Sequence, residues 1–353
     1  MKFSKGIQFF AGSTQTTYDL TNLNLSAGNY AITVVAEAEG YIDSDASNSV
    51  NYTVTTPTLT DSILFEGETS DFTLKATYKE WDGTVEYSTD KNTWNTWNGS
   101  EISSANKKLY LRGKNNTKFY TRNGAQLVLS AKAGCYGNIN TLLDYENPPT
   151  TLAKPSCYYG MFMNCTSLTS APELPATTLA SSCYWNMFMN CTSLTTAPEL
   201  PATTLKYSCY QGMFAGCTSL TTAPELPATT LAGYCYQGMF SGCTSLTTAP
   251  ELPATTLWDN CYNHMFSRCK SLTTAPELPA TTLAMSCYQS MFDDCTGLKI
   301  SATQTGEYTT AWRIPSAGEI AAEATSWNLD MLKNTGGTFK ENPSINTTYY
   351  GAW

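Results

Sequence analysis

The sequence predicts a mixed architecture, in which N-terminal all-β domains are followed by an α/β solenoid built from 26-residue repeats. Two observations predict it: residues alternate as in strands through the first third of the chain, and pairs of cysteines recur every 26 residues from Cys157 onward. A chain of 353 residues has room for two or three domains with a cap. We expect four segments, bounded as residues 1–56, 57–132, 133–299 and 300–353.

The first segment, residues 1–56, is predicted to be β. Its side chains alternate over residues 30–36, and Val50, Tyr52 and Val54 form an expected return strand. The run LSAGNYAITVVAEAEGYIDSDASNSVNYTV resembles the last strands of a fibronectin type III or immunoglobulin-like domain. A complete sandwich needs about seven strands, so we interpret this segment as a partial domain that another copy or a different protein completes. A small irregular β-domain that packs on the next one is the alternative.

The second segment, residues 57–132, is predicted to be a second β-sandwich-like domain. The pair Trp94 and Trp97 follows a turn centred on Asp90, where packing is expected, although stacking on a sugar is an alternative. Its strand-like runs are Ile63–Phe65, Phe72–Tyr78, Val85–Tyr87, Lys108–Arg112 and Leu127–Leu129.

The third segment, residues 133–299, is a degenerate N-terminal cap followed by six repeats of C-Y-x-x-M-F-x-x-C-T-S-L-T-T-A-P-E-L-P-A-T-T-L-x-x-x, the last incomplete. Helical spacing would place Cys183, Met187 and Cys191 on one face, so a helix is expected there. A short Ser-Leu-Thr-Thr-Ala strand then ends at a proline, which cannot donate to a sheet. Helix and strand in turn predict a parallel sheet covered by helices, which neighbouring units must stabilise. Residues 300–353 are the expected C-terminal cap, with a helix at Ala321–Asn334.

The motif MFxxCTSL, followed by a proline-containing strand and TL, resembles the BspA-type leucine-rich repeats of gut Bacteroidetes surface proteins and of their phages. The resemblance covers about residues 124–353. It implies a leucine-rich-repeat solenoid and an adhesin or host-interaction role.

The repeated polar residues are predicted to be structural rather than catalytic. Two cysteines eight positions apart would lie about 12 Å apart on a helix, beyond disulfide reach, so we expect buried free thiols. His264 is the only histidine, which leaves no Cys–His or Ser–His–Asp arrangement. We therefore expect no enzyme, no cofactor and no metal site. The tyrosine of each unit should be half-buried with its hydroxyl outward. One glutamate per unit should form an exposed row that either splays into solvent or shares cations.

Two sets of positions vary while the rest of the unit stays nearly constant, and they are the candidate binding residues. Aromatic and amide side chains at such positions suit contacts with sugars or proteins, whereas neutral drift on a tolerant surface is the plain alternative. The candidates are Tyr159, Trp185, Gln211, Gln237, Asn263 and Gln289 after the Cys-Tyr pair, and Tyr207, Tyr234 and Trp258 after Thr-Thr-Leu.

Composition and charge limit the classes of partner that the protein is expected to bind. The net charge of −9 disfavours nucleic acid and anionic lipid, and no apolar run is long enough to enter a membrane or act as a signal peptide. Together with the low charged fraction of 14%, this favours a bacteriophage virion protein, such as a tail fibre, head fibre or capsid decoration. Residues 1–56 would contact other virion proteins, the repeats would contact a host glycan or protein, and a homotrimer is expected. A bacterial cell-surface adhesin is the alternative.

Overall fold

The computed structural model describes residues 28–32, 50–54, 61–119, 126–301, 303–304, 310–314, 319–320, 326–337 and 347–351. The chain separates into two compact units, Met1–Thr58 and Leu59–Trp353.

The first unit contains an antiparallel pair of strands, β1 (Gly28–Ile32) and β2 (Val50–Val54). Tyr30 lies opposite Tyr52 in their register. The return strand therefore lies where alternation predicts it, whereas residues 33–36 lie outside the described part of the chain. The interpretation of this segment as a partial immunoglobulin-like domain stays a prediction.

The second unit is β-rich, and over the described residues of both units strand makes up 24% and helix 2%. Among the described residues a 3₁₀ helix spans Ile139–Leu142. The strands are β3 (Ile63–Gly67), β4 (Thr73–Ala76), β5 (Thr84–Ser88), β6 (Asn95–Thr96), β7 (Ile102–Ser103), β8 (Lys108–Lys114), β9 (Leu127–Leu129), β10 (Ala133–Tyr136), β11 (Thr151–Leu152), β12 (Leu168–Ser170), β13 (Thr178–Leu179), β14 (Thr282–Leu283), β15 (Ile300–Ser301), β16 (Thr310–Ile314), β17 (Glu319–Ile320) and β18 (Thr347–Gly351).

A six-stranded sheet in the order β12-β10-β3-β8-β5-β6 joins the sheet region, residues 61–136, to the first repeat. Strand β10 runs antiparallel to β3 and parallel to β12, so strands on both sides of residue 132 share this sheet. The alternation in β8 buries Leu109 and Leu111 on one face, against the buried Ile63 and Phe65 of β3. A second sheet has the order β7-β4-β9.

The tryptophans of the sheet region are packed. Trp81 stacks between Trp97 and Phe119, with ring centroids 5.2 and 5.1 Å away, and Trp97 is buried. The Arg112 guanidinium covers Trp94 at 3.9 Å from its ring centroid. The alternative of an exposed tryptophan pair for sugar stacking is therefore wrong, because one ring is internal and the other is covered.

The Cys-Tyr-x-x-Met-Phe segments are turns instead of the predicted helices. In the repeat that begins at Cys183, the amides of Met187, Met189 and Cys191 each donate to the carbonyl three residues earlier. The amides of Asn186 and Asn190, which alternate with these, donate instead to carbonyls of the next repeat, at 2.9 and 2.7 Å. An α-helix satisfies its amides internally, whereas here every second amide joins two units.

The predicted α/β leucine-rich-repeat solenoid of 26-residue repeats is therefore wrong, and the physical reason lies in the turn residues that have positive φ. Ser182, Asn186 and Asn190 have φ of 60°, 53° and 59°, in the left-handed region. Serine, asparagine and glycine, which recur at these positions, are weak helix formers, and asparagine and glycine tolerate positive φ best. Apolar spacing typical of a helix is thus compatible with a turn in which neighbouring units supply the hydrogen bonds.

The predicted strand after the second cysteine is reduced to single bridges in most units. Parallel bridges join Thr196, Thr222, Thr248 and Thr274 in succession, and a second series includes Thr204 with Thr230 and Thr256 with Thr282. We call the units from Ser156 to Leu298 the repeat array.

Two stacks of aromatic rings run through the interior of the repeat array. Phenylalanines of successive units lie nearly parallel, with centroids 5.5 to 5.7 Å apart. The tyrosines stack in the same way at 5.8 to 6.0 Å. All these rings are buried, so the prediction of half-buried tyrosines with outward hydroxyls is wrong. Inside each stack a ring has the same neighbour on both sides because the sequence repeats, whereas at the ends Phe162 meets Phe65 and Tyr288 meets Trp327.

The predicted helix at Ala321–Asn334 is also wrong over its described part, because residues 326–334 form a further turn of the repeat type. The amides of Tyr288, Ser290 and Phe292 donate to the carbonyls of Trp327, Leu329 and Met331. This is the pattern that links successive units, so Ser326–Asn334 takes the place of a seventh Ser-Cys-Tyr-x-x-Met-Phe-x-x turn. The covering role of this segment is therefore performed by a diverged copy of the turn.

Candidate ligand-binding surface

The variable residues lie between buried anchors in each unit. A leucine such as Leu205 precedes them and a cysteine such as Cys209 follows, and both are buried. We call residues 180–182, 206–208, 232–234, 258–260 and 284–286 the variable loops. Amide-to-carbonyl hydrogen bonds of 2.8 to 3.1 Å join consecutive loops, as from Ser182 to Tyr207 and from Tyr234 to Asp259. Fixed anchors and backbone bonds hold the loops side by side whatever their side chains.

The candidates that follow the Cys-Tyr pair, which we call the turn row, contact one another. Tyr159 and Trp185 meet edge to face with centroids 5.0 Å apart. The Gln211 amide Nε2 donates to Gln237 Oε1 at 2.6 Å. The members of the turn row are Tyr159, Trp185, Gln211, Gln237, Asn263 and Gln289, all of them half-buried or buried. These side chains therefore link neighbouring units, and the sequence overestimates how far they face solvent.

The variable loops expose large side chains. Tyr207 is 52% exposed and Trp258 59%, while Tyr234 is half-buried against Tyr207 with centroids 5.2 Å apart. Met285, 40% exposed, belongs to the next loop. We call these four residues the aromatic patch. Met285 is absent from the sequence-based candidates, although it stands at the same loop position as Tyr207.

The Tyr207 ring packs beside Gly233 of the next unit. A Cβ placed on Gly233 would lie 3.6 Å from Cε2 of Tyr207, an ordinary van der Waals contact, and 3.3 Å from the carbonyl oxygen of Asp259. The ring therefore lies against the backbone of the neighbouring loop.

Polar groups adjoin the patch. The Asn263 side-chain amide donates to Asn260 Oδ1 at 2.9 Å, which links the turn row to the loop that carries Trp258. Asn263 Oδ1 is buried and has no hydrogen-bond partner among the described residues. Asp259 Oδ1 accepts a hydrogen bond from the Met285 amide at 3.1 Å. The sequence did not single out Asn260 or Asp259 as site residues.

The cysteines are buried free thiols, as predicted. The second cysteine of a unit donates to the phenylalanine carbonyl of the preceding unit, as from Cys217 Sγ to Phe188 O at 3.1 Å. Burial raises the pKa of Cys217 to about 12 and likewise that of Cys269. Thiols held protonated are poor nucleophiles and metal ligands. Within the described residues no group of three His, Cys, Asp or Glu side chains is placed to hold a metal.

The glutamates and His264 are exposed at the surface of the array. The glutamate row consists of Glu173, Glu199, Glu225, Glu251 and Glu277, all exposed. Glu251 and Glu277 line a depression together with Ala249, Pro250, Leu252, Pro253, Pro276 and Pro279. The row presents like charges to solvent without an ion-pair partner among the described residues.

No helix in the described part of the chain has the length and apolarity required to cross a bilayer. Comparison of the chain with protein-family models, with curated proteins and with solved structures gave no match.

Proposed function

We propose that this protein is a non-enzymatic attachment protein of a bacteriophage particle, a tail fibre, head fibre or capsid decoration. Residues 1–56 anchor it to other virion proteins, and the repeat array contacts the host surface. The variable loops supply the contact.

One observation carries this proposal: the buried frame of the units is nearly invariant, whereas Tyr207, Trp258 and Met285 differ from their counterparts and are exposed. Large apolar side chains at the surface weaken solubility unless a partner covers them. Such side chains concentrated on adjacent loops are typical of recognition surfaces.

The labelled full chain should bind cells of at least one strain in a panel of gut Bacteroidetes, the hosts that the repeat motif suggests. Trp258→Ala should weaken that binding about tenfold or more, the effect of truncating a central aromatic anchor. Failure of the wild-type chain to bind any strain would reject the attachment role of the array.

Anchoring to a particle is tested separately. Antibody against the chain should detect it in gradient-purified phage particles. Detection in the bacterial envelope would favour the alternative, a BspA-like cell-surface adhesin, which the MFxxCTSL motif supports.

Assembly through residues 1–56 is also testable. The intact chain should have the solution mass of a homotrimer, whereas a chain that begins at Pro57 should be monomeric. A monomer in both cases would mean that residues 1–56 do not assemble with themselves and await a different protein.

A further inference from the structure

We infer that the aromatic patch binds a neutral, hydroxyl-rich carbohydrate polymer. The inference rests on the proposed attachment role, and it names the class of ligand that the same surface takes.

The exposed rings supply flat apolar platforms. Tyr207 and Trp258 are each more than half exposed, and Tyr234 supports Tyr207 from the side. The face of an aromatic ring carries negative charge density, which attracts the weakly positive C–H groups on the face of a pyranose. Tyrosine and tryptophan also lose little conformational entropy when they become ordered.

The form of the surface favours a polymer over a small molecule. A small ligand needs a concave pocket that covers most of its surface. The patch instead extends across the loops of four successive units, from Tyr207 to Met285, and those loops are joined by backbone hydrogen bonds such as Ser208 N to Gly233 O at 3.1 Å. Binding groups repeated along a line match a ligand whose own units repeat along a line.

The polar neighbours match sugar hydroxyls, which both donate and accept. Asp259, next to Trp258, is exposed, and its Oδ1 accepts one hydrogen bond from the Met285 amide at 3.1 Å. A carboxylate has further acceptor capacity, so Asp259 can accept from a sugar hydroxyl. Lys206, next to Tyr207, is also exposed and can donate to one.

The charges favour a neutral polymer. The variable loops carry one cation, Lys206, and one anion, Asp259. The chain as a whole has a net charge of −9, which repels polyanions such as uronic-acid polymers and phosphorylated glycans.

The test is native gel electrophoresis of the full chain through gels that contain glycogen, yeast mannan, dextran or, as an anionic comparison, alginate. At least one neutral polysaccharide should retard the wild type, and Trp258→Ala should weaken the apparent affinity by about tenfold to thirtyfold. Trp258→Phe, which keeps a ring, should retain most of it. Tyr78→Ala is the matched control, because Tyr78 is 62% exposed but lies in the sheet region, and it should not change the retardation.

Treatment of the cells distinguishes a carbohydrate ligand from a protein ligand. Periodate, which cleaves the vicinal diols of sugars, should abolish binding of the wild type to a strain that it recognises, and protease treatment of the cells should not. Binding that resists periodate and is lost after protease, while still depending on Trp258, would overturn the carbohydrate inference and leave the attachment role standing. Retardation by alginate alone, or retardation that Trp258→Ala does not change, would also overturn it.

Discussion

The sheet region and the repeat array bury similar side chains in different ways. In the sheet region each contact occurs once, as in the stack of Trp81 between Trp97 and Phe119. In the repeat array the same contact recurs in every unit, so that Phe214 meets Phe188 on one side and Phe240 on the other at 5.6 and 5.7 Å. A buried position in the ring stacks must therefore fit two copies of itself, so variation is confined to the variable loops and the turn positions around the turn row.

Alkaline pH should have the largest effect on stability, and it should act mainly through the repeat array, because twelve of the thirteen cysteines belong to the array. Burial raises the pKa of several thiols to about 12, from an ordinary value near 9. The unfolded chain therefore releases protons before the folded one does, and stability that is present below pH 9 is lost as pH rises toward 12, by up to about 1.4 kcal/mol per thiol per pH unit.

We expect the melting temperature to fall steeply above pH 9 and the thiols to resist alkylation at pH 8 until denaturant is added. Mass spectrometry counts the labels. Rapid labelling of cysteines in the folded chain at pH 8 would contradict the buried arrangement.

Truncation of one phenylalanine should be the next largest effect. Phe214→Ala removes a fully buried ring from the middle of the stack, which should lower the free energy of unfolding by about 3–5 kcal/mol. Denaturant titration followed by circular dichroism measures it. Tyr207→Ala, at an exposed loop position, should change it by less than about 0.5 kcal/mol. Equal losses in the two variants would mean that the stacks do not support the array.

Substitution at a turn position with positive φ should have an intermediate effect on the stability of the fold. Gly216 has φ of 74°, and a Cβ there would clash with Asn190 Oδ1. Gly216→Val should therefore destabilise the chain by about 1–2 kcal/mol or more, because a β-branched residue is strained at positive φ.

Gly216→Asn is the informative partner of this variant, because asparagine occupies the same position in the two preceding units, where Asn190 Nδ2 donates to Asn164 Oδ1 at 2.8 Å. Asparagine should cost less than valine. Thermal melts that rank the two variants the other way would contradict the turn geometry.

The smallest expected effect lies in the sheet region. Asp90 Oδ1 accepts hydrogen bonds from the amides of Thr93 and Asn92, both at 2.8 Å. These bonds lower the pKa of Asp90 to about 2. The stabilisation is present above pH 4 and is lost as pH falls toward 2. Asp90→Ala should slightly lower the melting temperature at pH 7, and the difference from the wild type should shrink at pH 2, where about half of the Asp90 carboxyl groups in the folded chain are protonated. A difference as large at pH 2 as at pH 7 would assign the effect to something other than the charged carboxylate.

The sequence predicted much of which side chains are buried, but less of where the backbone amides find their hydrogen-bond acceptors. The buried thiols, the strands near residues 63 and 108 and the exposure of Tyr207 and Trp258 follow from residue type, spacing and variation between units. The spacing of Cys183, Met187 and Cys191 led to the wrong prediction of a helix, because the same apolar period is compatible with a helix and with this turn. The contacts within the turn row, such as Gln211 with Gln237, could not be read from a single unit.

By itself, the sequence determined that neighbouring units share a core, because a 26-residue unit with one apolar side cannot bury it alone. It also determined which positions can change, since everything else in the unit recurs. Only the tertiary structure decided where the amides of the turn find their acceptors. That choice depends on carbonyls 25 residues away, such as Gln211 O for Asn186 N, which lie within reach only once the next unit is in place.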